Sequence, residues 1–377
     1  MNNKLIPVTL LTGYLGSGKT TLLNNILKRA DGRKIAVIVN DIGEVNIDAE
    51  LIEKGGIATA KDENLVPLQN GCICCTLKMD LIEQISELVN LNKFDHIVIE
   101  ASGICEPIPI AQTLTMLTDA LENYKLSDIV KLDAIVSVVD TLRIAREFGC
   151  GEELVKENID EEDIENLIIQ QIEFCDVIIL NKVSDVTEEE LNKVRAIIKR
   201  LQPNAKVIET DYSNVDMNDI LDTNLFDFEA SSLSAGWIEA LENPEEEEEG
   251  ETEEYGISTF VYYNRKPFNR EKFIKYIETL PRNIIRSKGV VYFEDQKEMS
   301  YMYEQAGTSK NVVETGLWIA EAPVEEIERL KNLNPDLARD WDDKYGDRMV
   351  KIVFIGQNMD KEEIISQLDS FTSNIFI

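Results

Sequence analysis

The sequence predicts an α/β protein: a doubly wound, mainly parallel sheet over residues 1–225, an acidic linker over 226–256, and a second, smaller α/β domain over 257–377. Three observations carry that expectation. Short β-branched runs alternate with helical patterns as far as Asp222, as parallel βαβ units do. Several of those runs are apolar along their whole length, which suits strands covered on both faces. The composition then breaks at Glu242–Glu254, where ENPEEEEEGETEE holds nine glutamates, no basic residue and no apolar one.

In chain order, the strand candidates of the first domain are Ile6 to Leu11, Lys34 to Asn40, His96 to Ala101, Leu132 to Asp140, Val177 to Asn181 and Lys206 to Thr210. Helices fill the gaps. Residues Thr21 to Lys28 follow the first strand, Leu81, Ile82, Ile85, Leu88 and Val89 recur at helical spacing, and Leu191, Val194, Ile197 and Ile198 do so before Pro203. The polyglutamate tract cannot bury apolar surface and is expected to stay a solvated linker. Beyond it, strand-like Ile257 to Tyr263, Val290 to Phe293, Val312 to Ile319 and Met349 to Ile355 interleave with helical patterns at Arg270 to Leu280, Val324 to Leu333 and Lys361 to Leu368. No internal repeat is evident.

Charge and composition narrow the function. With 38 basic and 71 acidic residues the net charge is −33, which argues against nucleic acid, because phosphate binding rests on Lys and Arg. About half of the acidic surplus lies in two stretches, the polyglutamate tract and Glu152 to Glu165. No apolar run reaches the roughly eighteen residues of a membrane span, and no signal-peptide pattern opens the chain, so a cytoplasmic location is expected. His96 is the single histidine, which excludes any site that needs two imidazoles from one chain. It opens an apolar strand, where a structural role is expected.

Gly13-Tyr-Leu-Gly16-Ser17-Gly18-Lys19-Thr20 matches the Walker A pattern, after an apolar strand and before the helix that starts near Thr21. Glycines in such a loop let backbone N–H groups and a helix N-terminus face phosphate oxygens. Lys19 is expected on the β- and γ-phosphates and the Thr20 hydroxyl on Mg²⁺. The acid that completes this site should end a neighbouring apolar strand, and Glu100 does so. Asp140, which ends another, is either a metal contact or a helix N-cap. Between these strands, Asn40-Asp41-Ile-Gly43-Glu44-Val-Asn46-Ile-Asp48 has the acids and the glycine of a mobile switch segment, and Asp48 joins Thr20 and Glu100 as a Mg²⁺ candidate.

Nucleotide bases are often read by Asn-Lys-x-Asp after a later strand, the aspartate accepting two hydrogen bonds that guanine offers and adenine does not. Asn181-Lys182 fits. The aspartate position, however, holds Ser184, with Asp185 one residue late; loss of a charge-assisted pair costs about 1.5 to 3 kcal/mol if Asp185 does not reach the base.

Three cysteines crowd into Leu68-Gln-Asn-Gly71-Cys72-Ile-Cys74-Cys75-Thr76, just before a helix, while Cys105, Cys150 and Cys175 stand apart. Thiolate is the ligand form, and a helix start favours it. Soft sulfur donors suit zinc or cobalt far better than magnesium. Two thiolates with an oxygen from Asp41 or Glu44, or with a ligand from a second chain, would make an open site suited to delivery. A ligand shared between chains would make the protein a homodimer. Cys105 is a further ligand candidate; redox chemistry is the competing reading of the cluster.

Taken together, GYLGSGKTTLLN, the segment from Asn40 to Asp48, LQNGCICCTLKMDL, the strand end IEASG and Asn181-Lys182 resemble the CobW-type metallochaperone GTPases of the SIMIBI class, and IIRSKG, Gly316-Leu-Trp318 and YGDRMVKIVFIGQ resemble that family's second domain. The resemblance implies a P-loop GTPase fold, GTP hydrolysis with Mg²⁺, and loading of a transition metal, zinc or cobalt, into a client protein. In that frame Gly13, Gly16, Ser17, Gly18, Lys19, Thr20, Thr21, Asn181, Lys182 and Asp185 hold the nucleotide, Lys19, Thr20 and Glu100 serve hydrolysis, and Cys72, Cys74, Cys75, Asp41 and Glu44 hold the cargo metal. Three features depart from the family pattern: Asp41-Ile42 in place of Glu-Phe, Ser184 in the base-reading motif, and polyglutamate where many members carry a histidine-rich stretch. Two rival readings are a small-molecule kinase, which leaves the thiols without a role, and a nucleotide-dependent regulator or scaffold without useful turnover.

Overall fold

The structure, a computed structural model, describes residues 5–29, 32–39, 65–67, 78–116, 129–148, 162–227, 256–307, 309–333, 335–339 and 341–373. These fall into two compact units. In the first, strands β1 (Ile6–Thr12), β2 (Ile35–Val39), β3 (Leu65–Pro67), β4 (His96–Glu100), β5 (Val130–Asp140), β6 (Val177–Asn181) and β7 (Lys206–Thr210) form one sheet in the order β3-β2-β4-β1-β5-β6-β7. Every neighbouring pair is parallel. The order reverses around β1, with β2 to β4 on one side and β5 to β7 on the other. Such a reversal opens a crevice at the carboxyl ends of the strands.

Composition tracks position in this sheet. IAVIV of β2, HIVIE of β4 and VIILN of β6 are buried throughout, as strands with both faces covered must be. Strand β7, at the edge, buries only its last residue fully. Helix α1 (Lys19–Lys28) sends Leu22, Leu23 and Ile26 into a core with Leu11, Val37, Val98, Val136 and Ile179, which fixes the helix start against the end of β1. Helix α2 (Lys78–Asn90) buries Leu81, Ile82, Ile85 and Leu88, the expected stripe. Helices α3 (Pro107–Met116), α4 (Thr141–Phe148) and α5 (Glu162–Glu173) follow. In α6 (Glu188–Leu201) the Thr187 side chain accepts from Glu190 N while Glu190 accepts from Thr187 N, a capping box.

The second unit is built on β8 (Ile257–Asn264), β9 (Ile284–Tyr292), β10 (Met299–Ala306), β11 (Ser309–Leu317) and β12 (Val350–Gln357), in the order β11-β10-β9-β12-β8. All its pairs are antiparallel. Helices α7 (Arg270–Glu278) and α10 (Lys361–Asp369) contribute Phe273, Ile277, Ile364 and Leu368 to an aromatic core with Phe260, Phe268, Phe293 and Phe354; between them in sequence lie α8 (Val324–Leu333) and the short α9 (Pro335–Arg339). The sequence pattern missed β10 and the part of β9 before Val290. The reason is polar residues on the inward face: Gln305 is buried, its amide donating to Ile284 O at 3.1 Å and accepting from Ser287 Oγ at 3.0 Å. Three-residue β3 is too short for periodicity to reveal. The polyglutamate tract lies outside the described residues. Among the described residues no helix is long and apolar enough to cross a membrane.

His96 takes the structural place expected of it. Its ring is fully buried, with Nε2 2.8 Å from Thr9 Oγ1 and Nδ1 3.3 Å from Asp222 Oδ1. Burial lowers its pKa below the ordinary 6.5, outweighing the opposing pull of Asp222 and Asp133. As pH falls through 6.5 the unfolded chain takes up this proton before the folded one does. Stability is therefore complete above that pH and declines toward the folded-state pKa, by at most about 1.4 kcal/mol per pH unit. Urea unfolding at about pH 7.5 and about pH 5.5 should give a smaller pH-dependent loss for His96→Gln than for the parent; equal losses would remove His96 from the linkage.

Candidate functional site

The loop between β1 and α1 turns sharply at glycines, and two of them have no substitute. Gly13 has φ +136, and a Cβ there would lie 2.2 Å from Val138 O; Gly18 has φ +113, and its Cβ would lie 2.3 Å from Asn181 Nδ2. The loop is thus pressed against β5 and β6 at the crevice. Gly18 caps α1 without any side-chain bond, so the helix start, where Lys19, Thr20 and Thr21 lie, turns its dipole and amide donors toward an anion rather than a capping oxygen. The Ser17 N–H closes the turn onto Tyr14 O at 3.1 Å. Gly16, also at positive φ, leaves open space where a side chain would stand.

Lys19 is 7% exposed, and Nζ donates to Gly13 O at 2.7 Å and Tyr14 O at 3.4 Å. The ammonium is therefore already folded over the loop that would hold phosphates. The Thr20 hydroxyl donates to Glu100 Oε1 at 3.3 Å, and Glu100 is 1% exposed. Their meeting follows from the sheet: Leu11 of β1 pairs with Glu100 of β4, so the acid ends beside the phosphate loop. A hydroxyl and a buried carboxylate are hard oxygen donors fit for Mg²⁺. Of the three Mg²⁺ candidates, the structure brings these two together; Asp48 lies outside the described residues.

On the other side of the loop stands Asn181, 2% exposed at the end of β6. Its Nδ2 donates to Ser17 O at 2.8 Å, and its Oδ1 accepts from Ser213 N at 2.9 Å. Ser213 in turn donates Oγ–H to Gly18 O at 3.1 Å. Lys182, at φ +63, sets its ammonium 2.5 Å from Asp140 Oδ2, and Asp140 Oδ1 accepts from Arg143 N at 3.2 Å. Of the two readings of Asp140, the structure therefore gives the N-cap of α4, tied to Lys182. Asp185 is exposed, in a single turn of 3-10 helix with its N–H on Lys182 O. Ser184 donates N–H and Oγ–H to Asp211 Oδ1, at 3.1 and 2.9 Å.

Ser213 and Asp211 went unnoticed in the sequence, although the polar run Asp211-Tyr-Ser-Asn214 directly after a parallel strand was signal enough: carboxyl ends of such strands line the crevice. Asp41, Glu44, Cys72, Cys74 and Cys75 lie outside the described residues. Among the described residues no group of three or more His, Cys, Asp or Glu side chains is placed to hold a metal. Cys105, the further ligand candidate, is fully buried, with its N–H on Ser102 O at 3.0 Å. Cys175 is a buried thiol whose pKa burial pushes up, an inert packing residue.

Residues 7–209 match the model of the CobW/HypB/UreG nucleotide-binding domain. The chain belongs to this family. Residues 257–372 match the cobalamin synthesis protein cobW C-terminal domain. Among similar proteins is the zinc-regulated GTPase metalloprotein activator 1 of Dictyostelium discoideum, 39% identical over 382 residues that cover 97% of this chain and 79% of that one. The protein of the same name from Schizosaccharomyces pombe is 40% identical over 60% of this chain and 51% of its own length. The zinc chaperone YjiA of Escherichia coli is 35% identical over 61% and 65%.

Thr20→Ala removes one of the two oxygen donors brought together for Mg²⁺. Affinity for nucleoside triphosphate with Mg²⁺ should fall tenfold to a hundredfold, about 1.5 to 3 kcal/mol, while affinity measured in excess EDTA changes much less. Equal losses in both titrations would take Thr20 off the metal.

Proposed function

We propose that this chain is a GTP-binding, GTP-hydrolysing metallochaperone that holds zinc at Cys72, Cys74 and Cys75, with an oxygen from Asp41 or Glu44, and hands it to a client protein. One observation carries the link between nucleotide and metal. Val39, the last residue of β2, pairs with Glu100 on one side and with Pro67, the last residue of β3, on the other. Asp41 follows Val39 by two positions and Cys72 follows Pro67 by five. Both metal-bearing segments therefore depart from strand ends level with the Mg²⁺ acid, on strands spaced about 4.8 Å apart. Chain connectivity thus ties both segments to strands on the Glu100 side of the sheet.

The chain's own groups have separable tasks. The loop amides and α1 receive the phosphates, Lys19 exchanges its carbonyl contacts for phosphate oxygens, and Asn181 keeps the loop in register with the base side. Mg²⁺, when bound, neutralises charge on the β- and γ-phosphates. Glu100 and Thr20 orient that ion. Zinc is the favoured cargo over cobalt because the similar proteins carry zinc in their names and because thiolates suit it.

Anaerobically purified protein, titrated with zinc in the presence of a non-hydrolysable GTP analogue or GDP, tests this reading. Zinc affinity should differ between the two nucleotide states by fivefold or more, since coupling between sites of about 1 to 3 kcal/mol is usual, and Cys74→Ser should lower it in both. Equal zinc affinity in the two states would forbid nucleotide-driven release, and undiminished zinc in Cys74→Ser would move the metal off the cysteines. Intrinsic turnover near 10⁻⁴ to 10⁻² s⁻¹, roughly, is expected without the client, and Lys19→Ala should abolish it.

A further inference from the structure

We propose that Asp211, rather than Asp185, is the carboxylate that reads guanine. The inference deepens the GTPase reading and rests on it. Ser184 stands where the Asn-Lys-x-Asp pattern puts its acid, and a neutral hydroxyl does not accept the N1–H and the 2-amino group of guanine as an anion does. That hydroxyl is committed elsewhere: Ser184 gives both its Oγ–H and its N–H to Asp211 Oδ1. The two positions have exchanged roles, the carboxylate now on the loop after β7 and the hydroxyl on the loop after β6.

Geometry places Asp211 for the task. Asn181 and Thr210 are register partners at the ends of adjacent parallel strands, so the stretches 182–185 and 211–213 leave the sheet side by side. The second stretch is fixed to the phosphate loop. Ser213 reaches Asn181 Oδ1 and Gly18 O, and Asn25 Nδ2 donates to both Tyr212 O and Ser213 O, at 3.0 and 2.9 Å. Tyr212 and Ser213 both take left-handed backbone, φ +55 and +51, a conformation that non-glycine residues hold only where surrounding contacts over-determine it. Asp211 is partly exposed. Its Oδ1 carries the Ser184 bonds, and Oδ2 takes none among the described residues, which leaves acceptor capacity facing solvent on a rigid mount. Among the described residues Asp185 has no comparable tether, only its N–H on Lys182 O.

The test uses full-length Asp211→Asn and Asp185→Asn with GDP and xanthosine diphosphate, both with Mg²⁺, by equilibrium titration. Xanthine carries a carbonyl where guanine has its 2-amino group, so an amide N–H complements it where a carboxylate does not. Asp211→Asn should lose at least tenfold in GDP affinity and gain at least tenfold for xanthosine diphosphate. Any of three results overturns the assignment: retained GDP preference in Asp211→Asn, an exchange of preference in Asp185→Asn instead, or loss of both nucleotides together, which makes Asp211 a structural tether. Parent protein that binds no GDP would defeat the GTPase reading itself, and the inference with it.

Discussion

The amide of Asn181 is the joint on which the site depends. Buried at the end of a central strand, it donates to the phosphate loop through Ser17 O and accepts from the loop after β7 through Ser213 N. Each bond is worth about 1 kcal/mol net, but leaving either partner unsatisfied in a buried place costs 1 to 3 kcal/mol. The arrangement is therefore close to all-or-none. Gly18 has no room for a side chain because this amide is packed against it, and Ser213 adds its own bond to Gly18 O. The loop after β1 and the loop after β7 are thereby joined by a shared set of hydrogen bonds rather than merely adjacent.

That joint works because the sheet is parallel. Parallel strands end on the same edge, so Glu100, Asp140, Asn181 and Thr210 close four strands at one crevice without any long-range design of the loops. The antiparallel second sheet has no such edge, and its described part is dominated by aromatic packing, with Phe260 stacked on Phe354 at 5.1 Å and Phe268, Phe273 and Phe293 in further ring contacts.

Legibility in the sequence followed the physics of each element. Buried parallel strands such as IAVIV and VIILN announce themselves because both faces need apolar residues, and the phosphate loop does so because its backbone demands glycine at fixed spacing. Strand β10 was silent because buried Gln305 and two tyrosines break apolar alternation, their polarity being met by hydrogen bonds that only the fold supplies. Glu100 was legible as a strand-ending acid, and the polar run after β7 that holds Asp211 was legible as crevice lining; the bond from Ser184 to Asp211, 27 residues away, was not, because no local pattern joins the two.

The buried His96 bears on a different matter, the way a bound metal would compete with protons. The chain's one imidazole is pinned between Thr9 and Asp222 at the start of β4, the end of the sheet opposite the carboxyl-edge crevice. A metal held by this chain alone then meets only sulfur and oxygen donors. Thiols are half-protonated far closer to neutrality than carboxylates are, so cysteine protonation, not imidazole protonation, would set the acidity at which zinc lets go.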